Sequence, residues 1–139
     1  MKILVAADGS KFTVKAVNYL VKHAEQFGDA QVTLINIHFP IPGRAAAQLS
    51  REVVRSYYAD ECEKALNPAR RALKKAGIAF KDTWKTGDPG DEISSFAAKG
   101  KFDMVVMGSH GHGLFANLVL GSVATKVLAG CKVPVLVIR

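Results

Sequence analysis

The sequence predicts an α/β fold: one doubly wound, five-stranded parallel sheet with four helices on its two faces. Three observations carry this. Five short apolar runs alternate with four longer amphipathic stretches along the chain. The first, fourth and fifth runs are almost continuously apolar, as parallel strands covered on both faces require. Glycines punctuate the ends of the helical stretches, where a left-handed residue closes a helix. Strand–helix–strand alternation with right-handed crossovers then gives a doubly wound sheet.

The elements follow in order. Ile3–Ala7 reads as the first strand. Residues 11–27 form the first helical stretch, with Val14, Val17, Val21 and Ala24 as its apolar stripe and Lys11, Lys15, Asn18, Lys22 and Glu25 opposite. Ser10 is placed to cap its start. Val32–Ile37 is the second strand, and an irregular connection, Phe39–Ala47, follows. A long helical stretch over 47–76 contains Pro68, which predicts a kink or a split near Asn67. Ile78–Trp84 is a weaker third strand, and 90–99 a third helix. Met104–Met107 is the fourth strand. The last helix, over 121–129, opens at Ser122 as a second candidate cap, and Val133–Ile138 is the last strand. Gly28, Gly77, Gly100 and Gly130 each follow a helical stretch. Two strand orders fit this pattern, 2-1-3-4-5 and 3-2-1-4-5.

A chain of 139 residues is expected to be one domain, 1–139, able to bury a core without staples. Hydrophobic residues make up 49% and charged residues 22%, ordinary for a soluble protein. No run approaches the ~20 apolar residues of a membrane span. The apolar run before Asp8 is too short for a signal peptide, so a cytoplasmic location is expected. Cys62 and Cys131 have no metal or disulfide spacing and are expected to be reduced structural thiols. Of the net charge of +7, residues 44–85 carry +5, from ten Lys/Arg and five Asp/Glu. Acids are interleaved there, so a solvated helix face is expected rather than a nucleic-acid surface.

In open α/β sheets, ligands bind beyond the carboxyl ends of the strands at the switch point. Two strand ends carry unusual residues. The first runs into Ala7-Asp8-Gly9-Ser10, and the fourth into Gly108-Ser109-His110-Gly111-His112-Gly113. Nine residues beyond Gly111, Gly121-Ser122 opens the last helix. Close-approach glycines at one end and free helix N–H groups at the other suit a chain of phosphates. The sequence has no G-x-x-x-x-G-K-[ST] loop, no G-x-G-x-x-G after the first strand and no G-x-S-x-G elbow. His110 and His112 lack a third metal ligand by spacing.

With these pieces in place, the chain resembles the universal stress protein family. Gly108-Ser109-His110-Gly111, nine residues, then Gly121-Ser122 matches the family's G-x2-G-x9-G-[ST] nucleotide motif without a gap. Val5–Ser10 matches its opening strand and turn, Gly87-Asp88-Pro89 its turn into the third helix, and Lys132–Ile138 its closing strand. The resemblance spans the chain. It implies strand order 3-2-1-4-5 and an ATP-binding branch, with AMP or ADP as related ligands. It also implies residue roles. Ala7 and Asp8 would lie at the nucleotide, with Asp8 near the ribose and a nucleotide-bound Mg²⁺. Ile37 would meet adenine, and Met107 and Gly108 would flank the nucleoside. Gly111, Gly121, Ser122 and Val123 would hold phosphates, with His110, His112 and Ala124 beside them. A homodimer through Val133–Ile138 is implied too, and Pro134 and the apolar edge agree with it.

Three functions fit these features. The first is a regulatory ATP-binding protein with slow or no hydrolysis. The second is a dimeric interaction module with a vestigial pocket. The third is an adenylyl transferase-like enzyme, whose H-x-G-H or S-G-G-x-D motifs are absent from the sequence. No catalytic residue is expected, because a fast phosphoryl transferase needs a positioned base and cationic stabilisers.

Overall fold

In the computed structural model, which describes residues 1–113 and 119–139, the five apolar runs are strands of one parallel sheet. They are β1 (Lys2–Ala6), β2 (Gln31–His38), β3 (Phe80–Thr86), β4 (Met104–Gly108) and β5 (Val135–Ile138), in the order β3-β2-β1-β4-β5. β1 is central: Val5 stands opposite Leu34 on β2 and opposite Val106 on β4. That position explains its composition, since Ile3, Leu4 and Val5 are at most 1% exposed.

Among the described residues there are six helices: α1 (Lys11–Lys22), α2 (Ala24–Phe27), α3 (Gly43–Ala46), α4 (Arg51–Lys75), α5 (Pro89–Lys99) and α6 (Ser122–Gly130). On one face, Ile3, Val5, Leu34 and Val106 pack with Ala16, Val17 and Leu20 of α1 and Leu66, Ala69 and Leu73 of α4. On the other, Leu4, Ile35, Val105 and Met107 pack with Ile93 and Ala97 of α5 and Ala124 and Val127 of α6. Each large aliphatic side chain buried this way contributes about 1.5–3 kcal/mol.

Six helices replace the expected four, for local reasons. The first stretch breaks at His23, whose backbone leaves helical values at φ −110° and ψ 21°, and whose ring nitrogen Nδ1 lies 2.8 Å from the Tyr19 carbonyl that its own N–H reaches at 3.1 Å. The ring also stacks on Tyr19 at 4.1 Å. One turn of helix, α3, interrupts the connection that was read as irregular. The split expected at Pro68 does not occur. α4 runs unbroken through it, because Cys62, Ala65 and Leu66 before it and Ala69 and Leu73 after it bury the same face. Proline in a helix interior costs about 3 kcal/mol, and this shared burial offsets it.

Two glycine expectations also change: neither Gly100 nor Gly130 takes a left-handed φ, and Gly130 is the last residue of α6, before a C-cap at Cys131. Gly28 and Gly77 take left-handed φ values, but after α5 it is Lys101 that does so, at φ 51°. Gly100 is small for a different reason: a Cβ there would stand 2.5 Å from the Phe102 ring. At the last helix the N-cap is Gly121, not Ser122, and α6 has no side-chain cap. β5 begins at Val135 rather than Val133, directly after Pro134, whose carbonyl accepts from Val105 N–H at 2.8 Å.

Both thiols are free, and burial pushes Cys62 up to about 11, so it is inert at neutral pH. The basic segment is largely α4's solvated face. There Arg70 pairs with Glu63 at 2.7 Å and with Asp82 at 2.6 Å, and Lys64 pairs with Glu61 at 2.8 Å. Among the described residues no helix is long and apolar enough to cross a membrane.

Candidate functional site

The strand order puts the carboxyl ends of β1 and β4 side by side, with their following helices on opposite faces. A crevice opens there, as it does at the switch point of any doubly wound sheet. It holds a cavity of about 400 Å³. Ala7, Asp8, Ile37, Met107, Gly108, His110, Gly111, His112, Gly121, Ser122, Val123 and Ala124 all line it. These residues come from four separate segments of the chain. The stretch 114–118 of the connecting loop lies outside the described residues.

Asp8 is fixed by the start of α1. Its Oδ1 accepts from Ser10 N–H at 2.9 Å and from the Thr13 hydroxyl at 2.8 Å. The Thr13 hydroxyl in turn accepts from Asp8 N–H at 3.1 Å. Ser10, expected as a cap, is one: its hydroxyl accepts from Thr13 N–H at 3.3 Å. Ser10 and Thr13 are 3% and 2% exposed, so the carboxylate is held from below by a rigid, dry turn. Among the described residues Oδ2 takes no hydrogen bond. It faces Gly111, where a Cβ would stand 2.7 Å away, so only glycine leaves room for the carboxylate.

The glycine loop leaves β4 and returns to α6. Gly121 N–H donates to Ser109 O at 2.7 Å and closes the loop at its base. A Cβ on Gly121 would meet His110 Cα at 3.2 Å and Ser109 O at 3.3 Å. Gly108 is pressed on α1, since a Cβ there would lie 2.5 Å from Phe12 Cβ. His112 Nε2 lies 2.6 Å from the Asp8 carbonyl, which ties the loop across the crevice to β1. His110 Nδ1 is 2.9 Å from the Ser109 hydroxyl, and its ring lies 5.1 Å from that of Phe12. α6, lacking a side-chain cap, offers its first N–H groups and the positive end of its dipole to the cavity.

The opposite wall is apolar. Ile35, Ile37, Ile93, Met107 and Val123 suit a flat ring, and Pro89 brings the start of α5 to the rim. Sequence reading missed Thr13, His38, Phe39, Pro89 and Ile93. Pro89 and His38 sit at element ends facing the switch point, and that topology alone could have flagged them. Among the described residues no group of three or more His, Cys, Asp or Glu could hold a metal ion.

α5 and α6 are latched beside the cavity. Lys126 Nζ reaches Asp88 Oδ1 at 2.8 Å and Asp91 Oδ2 at 2.9 Å. Its stem lies on Gly90, where a Cβ would come within 2.8 Å of three of its carbons. The Lys126 ammonium, with the Asp91 amide behind it, holds the Asp88 carboxyl below its ordinary value of 3.8. A carboxyl lowered on folding adds stability above its unfolded value and loses it as pH falls through the folded one. The parent should therefore lose stability more steeply than Asp88→Asn below about pH 4. Thermal unfolding at neutral pH and through the acid range checks this. The variant should start lower and converge with the parent in acid, and parallel curves would remove the latch from the pH dependence.

The similarities to known proteins follow the same lines. A model of the universal stress protein family matches residues 1–139. Universal stress protein MJ0531 of Methanocaldococcus jannaschii is 31% identical over 140 residues, covering 99% of this chain and 81% of that protein. The structure of universal stress protein UspA from Lactobacillus plantarum superposes with a TM-score of 0.82 at 21% identity, covering 100% of this chain and 97% of that one. A universal stress protein solved in complex with cAMP superposes with a TM-score of 0.74 at 25% identity, covering 100% of this chain and 97% of that one.

Proposed function

The chain belongs to the universal stress protein family, and from that premise we propose that it is a regulatory adenine-nucleotide-binding protein that takes ATP in the switch-point cavity. One observation carries the reading. Segments around residues 8, 37, 108–112 and 121–124, far apart in sequence, converge on one cavity with an apolar slot at one side and an uncapped helix start at the other. A nucleotide has that same polarity. The relative solved with cAMP is an adenine-nucleotide complex on this fold.

In this reading the base lies against Ile37 and Met107, and Gly108 passes beneath the nucleoside. Phosphates meet Gly111 and the N–H groups of Ser122, Val123 and Ala124. His110 and His112 stand beside them. The free Oδ2 of Asp8 fits a Mg²⁺ that is otherwise held by phosphate and water. Mg²⁺ commonly binds through one or two carboxylates plus substrate phosphates. The ion would neutralise phosphate charge there.

Turnover is slow or absent. The titratable side chains lining the cavity are Asp8, His38, His110 and His112, with no Lys or Arg among the described lining residues. Fast phosphoryl transfer needs cationic stabilisers and a base aligned on a nucleophile. Calorimetric titration with ATP and Mg²⁺ tests the reading. Micromolar binding supports it, and no heat at millimolar ATP would sink it.

The functional unit is a cytoplasmic homodimer paired through β5. This strand is an edge of the sheet and carries no charge. Nothing there blunts an open ladder. Pro134 O and Ile138 O accept from β4, at Val105 N–H and Ser109 N–H, so residues 135 and 137 turn their N–H groups outward. Val137→Pro removes an outward donor without touching the inner ladder. It should convert a dimer to a monomer in sedimentation velocity, and a parent that is already monomeric at tens of micromolar would end the proposal.

A further inference from the structure

α4 meets the walls of the cavity at two places, both in its first half. The turn after β1, which carries Asp8, packs on it backbone to backbone: a Cβ on Gly9 would stand 3.0 Å from Ala65 Cα and 3.4 Å from Lys64 O. At the other wall, His38 and Phe39 line the cavity where β2 ends. The His38 ring lies 6.4 Å from that of Tyr58, and the Tyr58 hydroxyl accepts from Ile41 N–H at 2.7 Å. Tyr58 thus holds the strap that leaves β2. The second half of α4 has a different footing. Leu66, Ala69 and Leu73 are at most 1% exposed and belong to the core against β1 and β2. Towards its start the helix is thinly held, since none of the side chains from Arg51 to Tyr57 is buried. Pro68 stands at the junction. It has no N–H for Lys64 O and its ring crowds that carbonyl, which makes this a weak turn of the helix.

We propose that Arg51–Lys64 is a hinged arm, ordered by occupancy of the cavity and pivoting at the turn that Pro68 weakens. The inference rests on the nucleotide-binding function proposed above. A ligand that settles the Asp8–Gly9 turn and the end of β2 steadies the arm through both contacts at once. The half of α4 beyond Pro68 is held by the core in either state. Segments with few buried apolar contacts open locally at low free-energy cost. Ordering such a segment on binding costs conformational entropy, so a change that orders it beforehand raises affinity. Occupancy of the crevice is thereby read out on the outer surface of the molecule, along the first turns of α4.

The test is amide hydrogen exchange with and without ATP and Mg²⁺, on the parent and on Pro68→Ala, with calorimetry alongside. In the ligand-free parent the amides of residues 55–64 should exchange faster than those of 72–75, because they open locally. ATP should slow residues 55–64 by at least roughly fivefold. Pro68→Ala gives Lys64 O its donor and ties the arm to the core. It should bring the two sets of amides together without ligand, shrink the effect of ATP on 55–64 relative to 72–75, and bind ATP more tightly than the parent. Equal exchange of the two sets in the ligand-free parent would overturn the hinge. ATP that binds by calorimetry yet leaves residues 55–64 exchanging as before would overturn the coupling. Either result ends the inference and leaves the nucleotide reading intact. If calorimetry finds no binding of ATP, the nucleotide reading itself fails and takes this inference with it.

Discussion

Gly121→Val is expected to abolish ATP binding, weakening it by at least ~100-fold, or about 2.7 kcal/mol. The cause is specific to the loop closure. A Cβ at 121 meets backbone, His110 Cα at 3.2 Å and Ser109 O at 3.3 Å, and backbone has no rotamer with which to yield. The branched side chain pushes the glycine loop away from the first turn of α6. It also strains the 2.7 Å bond from Gly121 N–H to Ser109 O. The donors of the helix start and of the loop then no longer converge on one point. Gly130→Ala, at the far end of the same helix, meets nothing within 4 Å and should bind like the parent. Calorimetry on both, with circular dichroism to confirm folding, makes the check. Parent-like affinity in Gly121→Val would remove this loop from the site.

Gly9→Ala should cost about 2–4 kcal/mol of stability, from two sources. Gly9 has φ 80°, where a side chain is strained. Its added Cβ would also stand 3.0 Å from Ala65 Cα and 3.4 Å from Lys64 O, both backbone atoms of α4. The Lys64 carbonyl is the one that any other residue at 68 would bond, and Pro68 has no N–H to give. The turn after β1 thus packs against the stretch of α4 whose ladder the proline opens. Asp8 sits in that same turn, so ATP affinity should fall too. Gly43→Ala, which meets nothing within 4 Å, is the control. Urea unfolding measures both. A Gly9→Ala loss below 1 kcal/mol would show that the turn yields easily.

Much of this could be read from the chain because its signals were redundant. The buried strands are apolar on both faces, so β1 and β4 read clearly. The glycine motif ties three segments together by spacing, and all twelve site residues expected from sequence line one cavity. What escaped was decided by tertiary contacts. Whether Pro68 splits α4 depends on what the helix buries on either side. The end of α1 at His23 goes with a ring that folds back onto Tyr19 and shares its carbonyl with the backbone N–H. Ser122 looked like a cap because serine often is one, yet Gly121 holds that position, with its N–H bound to the loop base. Asn36 and His38 carried no periodic or motif signal. That Asn36 Oδ1 is left without a donor is visible only once Ala7 O is seen to hold the other half of the amide.

The central position of β1 also bears on folding kinetics. Its partners are β2, about thirty positions on, and β4, about a hundred on, as in the pairs Lys2 with Gln31 and Ile3 with Met104. Helices and the nearer pairing can form early, but joining β4 to β1 closes a long loop and comes at high entropic cost. The crevice lies on that late seam, since Asp8 follows β1 and the glycine loop follows β4. A ligand that touches both sides finds no site until the seam is shut. It should therefore leave the folding rate nearly unchanged and act by slowing unfolding, so that an occupied chain outlasts an empty one chiefly in lifetime.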